Sequence, residues 1–301
     1  MPSLKSMIMK KFLLSCMLLV LGIVFVSAIS PYIRVAEISG TMDETVGKVS
    51  SVLEEAGYSV IGQYQPGSNP DLYVLVFTSD KLIKFSQKSK DRGLLASAMK
   101  VGFQNAEGKI SVSILNPEYL FYAYFRELMN EDSFKSEALQ ISSEVITTMQ
   151  KVGGIMEPFG GDLSGDKLIK FRYMAGMPDF DKAVDLAEFE SFEQGVAAIQ
   201  KGLSAGGATV KVFEIINETG KTAIFGVGLK DKEEGEAHFL QIIGESHVAA
   251  MPYEIVIQGN MVTMLHGRFR FALHWPELTM GTFMKIKSSP GDVEDAMKGL
   301  F

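Results

Sequence analysis

All four histidines of the chain, His238, His247, His266 and His274, fall in its last third. Imidazole is the side chain suited to proton transfer near neutral pH and to holding transition metals. If a helix begins near His266, then His266, Arg270 and His274 recur at i, i+4 and i+8 and share one face. If the helix begins near Arg268 instead, His266 is left on a strand end. Met251, Met261, Met264 and Met280 are near in sequence, and imidazole with thioether is a ligand set for haem iron or copper. His247, His266, Arg270, His274 and Met251 are therefore the candidate ligand-binding residues, with His266 and His274 the pair for any metal.

Against this, seventeen methionines in a chain that is 47% hydrophobic mostly fill cores. There is no His-Glu-x-x-His spacing. Without Cys-x-x-Cys-His, haem cannot be attached covalently. The sequence therefore predicts no cofactor, with haem or a transition metal as the alternative.

Other chemistry is narrower still. Cys16 is the only cysteine and lies in the leader, so the mature chain has no disulfide, no thiolate nucleophile and no cysteine-ligated metal. The acid pairs Glu54-Glu55 and Glu233-Glu234 sit in polar runs, where a carboxyl stays too acidic for acid catalysis. No Gly-x-Ser-x-Gly elbow accompanies a histidine, so no catalytic residue is assigned. Residues 153–166 are rich in Gly and Asp but lack the Gly-Lys-Ser/Thr ending of a phosphate loop and the ligand spacing of a calcium loop. The run from Tyr119 to Phe125 would be aromatic nearly all round a helix, which predicts burial between the two repeats, with a groove for an apolar ligand as the alternative.

The elements that must position these residues are written twice. Residues 41–60 return as 191–210 at a constant offset of 150. Val46/Val196, Val49/Ile199 and Leu53/Leu203 keep the i, i+3, i+7 spacing of one helix face, and Gly57/Gly207 follow where a helix stops. A second block, 98–112, matches 250–264 at offset 152, with turns at Glu107-Gly108 and Gly259-Asn260 that suit hairpins. On this second offset Lys100 faces Pro252, His266 faces Ile114, and Arg268-Phe269 stands where the first copy has Asn116-Pro117. A period this long fits two whole domains. The expected fold is α+β, two repeated domains, each an antiparallel sheet with packed helices. The limits are 32–152 and 184–301, separated by a linker at 153–183 with an extra strand near Leu168–Met174.

The helix end Glu55-Ala56-Gly57-Tyr58, the hairpin strand Met251 to Ile257 and the pair Asn116-Pro117 give the chain a resemblance to the family called domain of unknown function 302. The resemblance spans Tyr32 to about Gln150 and, more loosely, Val184 to Phe301. It implies a compact α+β domain in tandem and brings no reaction.

Residues 1–28 resemble a signal peptide in composition: Lys5, Lys10 and Lys11, then an apolar run from Phe12 to Val26, then Val26-Ser27-Ala28. This predicts export to the periplasm or cell envelope; the rival reading is a membrane anchor through residues 12–29. The net charge is −7, or −10 once the three leader lysines are removed, so no nucleic-acid partner is expected. The functional expectation is an exported, non-enzymatic binding module taking a small apolar ligand or a protein partner at the boundary between the repeats.

Overall fold

The structure, a computed structural model, describes residues 28–301. The leader and the anchor alternative lie outside the described residues except for Ala28 and Ile29. Among the described residues no helix is long and apolar enough to cross a membrane.

The chain opens with β1 (Ala28–Ile29) and β2 (Tyr32–Ser39), then α1 (Met42–Glu55), β3 (Ser59–Tyr64), β4 (Leu72–Thr78), α2 (Asp80–Ser86), β5 (Met99–Ala106), β6 (Lys109–Leu115), α3 (Pro117–Phe125) and α4 (Asp132–Gln150). A connecting stretch holds β7 (Glu157–Phe159), β8 (Leu163–Ser164) and α5 (Gly165–Ile169). There follow β9 (Val184–Glu188), α6 (Phe192–Ala205), β10 (Thr209–Asn217), β11 (Thr222–Leu229), α7 (Glu236–Ile243), β12 (Tyr253–Gln258), β13 (Met261–Met264), α8 (Gly267–His274), α9 (Met280–Phe283) and α10 (Ser289–Lys298).

Both large sheets are antiparallel, ordered β3-β4-β5-β6-β2-β7 and β10-β11-β12-β13-β9. The fold is α+β, as the sequence predicts. The first five strands of each sheet run in the same order. Each sheet also bends at the same two places, with irregularities in β2 and β9 and in β3 and β10.

The repeated helices form where their caps and apolar spacing put them. Thr41 makes a capping box with Glu44, and Ser191 accepts from the Gln194 amide. Val46, Val49 and Leu53 are buried, as are Ile199 and Leu203; Val196 is only half-buried, because Gly195 beside it packs on Ile257. α1 lies on β3, β4 and β5, and α6 on β10, β12 and β13.

The opposite faces of the sheets turn toward each other, which explains why β4 and β11 are apolar on both faces rather than alternating. The turn at Glu245–Ala250 lies on β4, β5 and β6 of the first sheet, and the turn at Gly93–Ala96 lies on β11 and β12 of the second. Each half thus lends a turn to the other. Glycines allow the close approach: a Cβ on Gly62 would overlap the Val212 carbonyl, and one on Gly102 would sit 2.6 Å from the Ala249 nitrogen.

The connecting stretch departs from expectation. Its strands are Glu157–Phe159, which extends the first sheet beside β2, and Leu163–Ser164, which pairs with β1, and neither lies at Leu168–Met174. The alternating pattern of 168–174 suggested a strand, but Ser164 caps a short helix there and Leu168 and Ile169 bury against α3.

Close packing of the seam has a direct test in urea denaturation. Gly62→Ala and Gly102→Ala should each cost about 1–3 kcal/mol through overpacking. Gly47→Ala, in α1 with open space around it, should gain about 0.5–1 kcal/mol. Equal effects at all three positions would mean that the halves do not meet as described.

Candidate functional site at the seam between the halves

Strand alternation sends Lys100 of β5 and Glu254 of β12 to the same inner space, although both are flanked by apolar residues. The Lys100 ammonium and the Glu254 carboxylate form an ion pair that is almost wholly buried. The other Glu254 oxygen accepts from Arg270 of α8, at 3.3 Å from Nε and 3.2 Å from Nη2. Arg270 is 1% exposed. Its Nη2 also donates to the carbonyls of Ala250 at 2.5 Å and Pro252 at 2.8 Å, and its guanidinium lies 3.8 Å from the Tyr253 ring centre.

Two cationic side chains share one carboxylate here, so one positive charge is in excess. Burial, reinforced by the neighbouring Arg270, pulls the Lys100 pKa well below its ordinary value. Loss of the Lys100 proton leaves Arg270 and Glu254 as the balanced pair.

The C-terminal end of α8 is held by the first half. A helix leaves its last carbonyls without partners. Tyr119 on α3 donates to the Leu273 carbonyl at 2.7 Å, and Tyr32 on β2 donates to the His274 carbonyl at 2.9 Å. The Tyr124 hydroxyl lies 3.2 Å from His274 Nε2. The aromatic run Tyr119–Phe125 is buried throughout, and two of its hydroxyls, those of Tyr119 and Tyr124, reach the second half, so its all-round character reflects burial between layers. Tyr32, Tyr119 and Tyr124 have raised pKa values, chiefly from burial, Tyr124 to about 12.

The candidate residues of the sequence are dispersed along this seam. His274 is fully buried, with its pKa held well below normal by burial and then by Arg270. His247 stacks on Trp275 at 5.7 Å and meets the edge of Tyr32 at 4.8 Å, and burial lowers its pKa to about 4. The two imidazoles flank Trp275, whose ring centre is 6.4 Å from that of His274. His266 stands apart as the N-cap of α8, its Nδ1 accepting from the Arg268 amide at 3.1 Å. It is about 12 Å of helix rise from His274. Met251 is buried beside the β12 hairpin, and Arg270 belongs to the ionic cluster. Among the described residues, no three His, Cys, Asp or Glu side chains are grouped to hold a metal.

The cap also corrects the alignment of the halves. Asn116 accepts from the Glu118 amide just as His266 accepts from Arg268. Asn116 is thus the counterpart of His266, and Pro117 that of Gly267. Ile114 and Asn116-Pro117 do not correspond to His266 and Arg268-Phe269, because β13 ends sooner after its hairpin than β6.

Glu236 is a further buried acid that sequence reasoning passed over. It belongs to α7 and is bound from the first half by the Tyr64 hydroxyl at 3.0 Å and the Gly67 amide at 3.2 Å. Burial raises its pKa to about 7, against the lowering effect of those hydrogen bonds.

The seam opens at one end into a cleft of about 280 Å3. Gln87, Ser89 and Lys90 line it from the first half, and Asn217, Thr222 and Gln258 from the second. Gln258 crosses the gap, donating to the Lys90 carbonyl at 2.5 Å and accepting from the Arg92 amide at 3.2 Å. Arg92 has φ 51°, an uncommon conformation for a side chain of its size. Its guanidinium is turned away, bound to Asp91 and the Phe180 carbonyl and stacked 4.1 Å from the Phe180 ring.

No family model matches the chain, and no curated protein matches it. Among solved structures it is similar to an uncharacterized conserved protein, DUF302, from Bacillus stearothermophilus. The identity is 16% over 39% of this chain and 94% of that one, with a TM-score of 0.33.

Two outcomes follow from these charges. Glu254→Leu leaves Lys100 and Arg270 without a carboxylate and should cost about 3–5 kcal/mol, whereas Lys100→Met leaves a balanced pair and should cost far less. Equal losses in denaturant titrations would refute the charge accounting.

The second outcome concerns pH. The Glu236 pKa is raised from 4.5 to about 7, so the folded state holds this proton more tightly than the unfolded. Its stabilising effect is complete below about pH 4.5 and is lost as pH rises to about 7, a span worth at most roughly 3 kcal/mol. The stability of the parent relative to Glu236→Gln should therefore fall between about pH 4.5 and 7. A difference that stays flat would show that Glu236 does not titrate in this range.

Proposed function

We propose that the chain is an exported, non-enzymatic binding module whose ligand enters the cleft between the two halves. The cleft itself is the observation that supports this: it is bounded by both halves, and Gln258 fixes its width by bonding across it. Its walls favour a small polar ligand rich in hydroxyl or amide groups over the apolar ligand expected from sequence. Gln87, Ser89, Asn217, Thr222 and Gln258 offer hydrogen bonds in both directions, while the apolar part of the seam is already filled by side chains. Amides and hydroxyls without an adjacent base neither transfer protons at neutral pH nor attack substrates, so binding is the better reading.

The same strand order, the matched caps at offset 150 and the paired bends in the sheets support a tandem duplication, with halves at 32–152 and 184–301. On this reading the sequence resemblance to the domain of unknown function 302 family, read over Tyr32 to about Gln150, extends more loosely to Val184–Phe301. Haem or a transition metal remains the alternative, and the separation of His266 from His274 does not favour it.

The test is a thermal-shift screen of the protein against mono- and disaccharides, amino acids and short peptides. A ligand present at a hundred times its Kd should stabilise the parent by about 2.7 kcal/mol. Gln87→Trp, at the exposed end of α2, should fill the cleft mouth and abolish that gain without lowering the stability of the free protein. A screen without any shift, or a shift that survives in Gln87→Trp, would overturn the assignment.

A further inference from the structure

We infer that the surface formed by residues 163–177 and 278–287 docks on an anionic lipid bilayer. This goes beyond the cleft and does not depend on it.

The first observation is charge. In a chain of net charge −7, residues 163–177 carry Lys167, Lys170 and Arg172 against Asp166, and residues 278–287 carry Lys285 and Lys287, with the exposed acids Asp162 and Glu277 at the edges of the two segments. Arg172 is bound to Asp179, but Lys167, Lys170, Lys285 and Lys287 are exposed. Each such lysine near an anionic membrane adds to the attraction.

The second observation is apolar exposure on the same surface. Met174, Met280 and Met284 are 46%, 43% and 53% exposed, three of the six large apolar side chains so exposed among the described residues. The two segments are continuous. Tyr173 donates to the Leu278 carbonyl at 3.3 Å, and Tyr173 and Met177 share an apolar groove with Met280 and Phe283. Exposed methionines in the same short segments as exposed lysines are the composition of a surface that lies in the headgroup region rather than of a solvated face.

The third observation says what covers this surface. β1 pairs with β8, placing Ala28 against Ser164 at the start of the basic segment. The residues before Ala28 are the apolar run from Phe12 to Val26. On the anchor reading of residues 12–29, in which this run stays attached and enters a bilayer, the surface beside Ala28 is brought to the lipid headgroups. The anionic headgroups then meet the lysines, and the methionine side chains enter the boundary with the acyl chains.

The full chain, reconstituted in nanodiscs of phosphatidylglycerol and phosphatidylcholine, or of phosphatidylcholine alone, tests this by hydrogen–deuterium exchange. Amides of 166–177 and 278–287 should exchange several-fold more slowly in the anionic discs than in the neutral ones. The protection should fall with added salt, as screened surface attraction does. The combined variant Lys167→Glu, Lys170→Glu, Lys285→Glu and Lys287→Glu, whose changes are all at exposed positions, should exchange alike in both lipids while its thermal stability is kept. Equal exchange of the parent in both discs overturns the proposal, since insertion through residues 12–27 alone would give that result. It would leave the cleft assignment standing.

Discussion

One carboxylate, that of Glu254, is shared by a cation from each half of the molecule, and much of the seam follows from the need to keep it matched. Lys100 reaches it from β5 and Arg270 from α8. Arg270 also holds the carbonyls of Ala250 and Pro252, which close the turn that lies on the first sheet. A charge stranded in this interior would cost several kcal/mol. Arg270 and Glu254 both belong to the second half and stay paired if β5 slides against β12; what a slide would lose is the Lys100 contact, leaving a buried amine without a partner where apolar contact alone would tolerate a shift.

The halves share an order of elements but divide the chemistry. α3 gives hydroxyls: Tyr119 and Tyr124, with Tyr32 from β2, reach the end of α8. α8 gives the free carbonyls of its last turn, an imidazole and the guanidinium. The confinement of histidine to the last third of the chain thus has a physical counterpart. His247 and His274 are held neutral by burial and packed on Trp275 beside those tyrosines, while His266 serves as a cap on the far end of the same helix. One helix face carries all of Arg270, His266 and His274 in sequence terms, but its two ends stand in different surroundings.

What could be read from sequence was local. The paired helices were legible because a Ser or Thr cap and an i, i+3, i+7 apolar set lie within one segment, and the hairpins because Glu107-Gly108 and Gly259-Asn260 suit a two-residue turn. Lys100 and Glu254 were not legible as a pair: they lie 154 residues apart, and no periodicity relates strands of different sheets. The trace they leave is a single charge within each apolar strand. The misaligned histidine had a simple cause, since the offset between the halves is 152 at the hairpins and 150 at the caps, and only the shorter β13 reconciles them. Residues 168–174 alternate like a strand, but the edge beside β2 is already occupied by β7, and the Ser164 cap starts a helix at Gly165 that buries Leu168 and Ile169 instead.

The polar character of the seam bears on the cleft at its end. A binding site between two halves loses affinity if the halves must be ordered when the ligand arrives, because that entropy is subtracted from the contacts made. Here Glu254 with its two cations, Glu236 with Tyr64 and Gly67, and Gln258 with Lys90 and Arg92 each join one half to the other. Their hydrogen bonds are directional, so they restrict rotation as well as separation, which apolar packing alone does weakly. The cleft therefore has a fixed shape. The left-handed Arg92 beside it is tolerable for the same reason: the Gln258 amide and the Phe180 carbonyl hold its two ends, and the fold around it bears the strain.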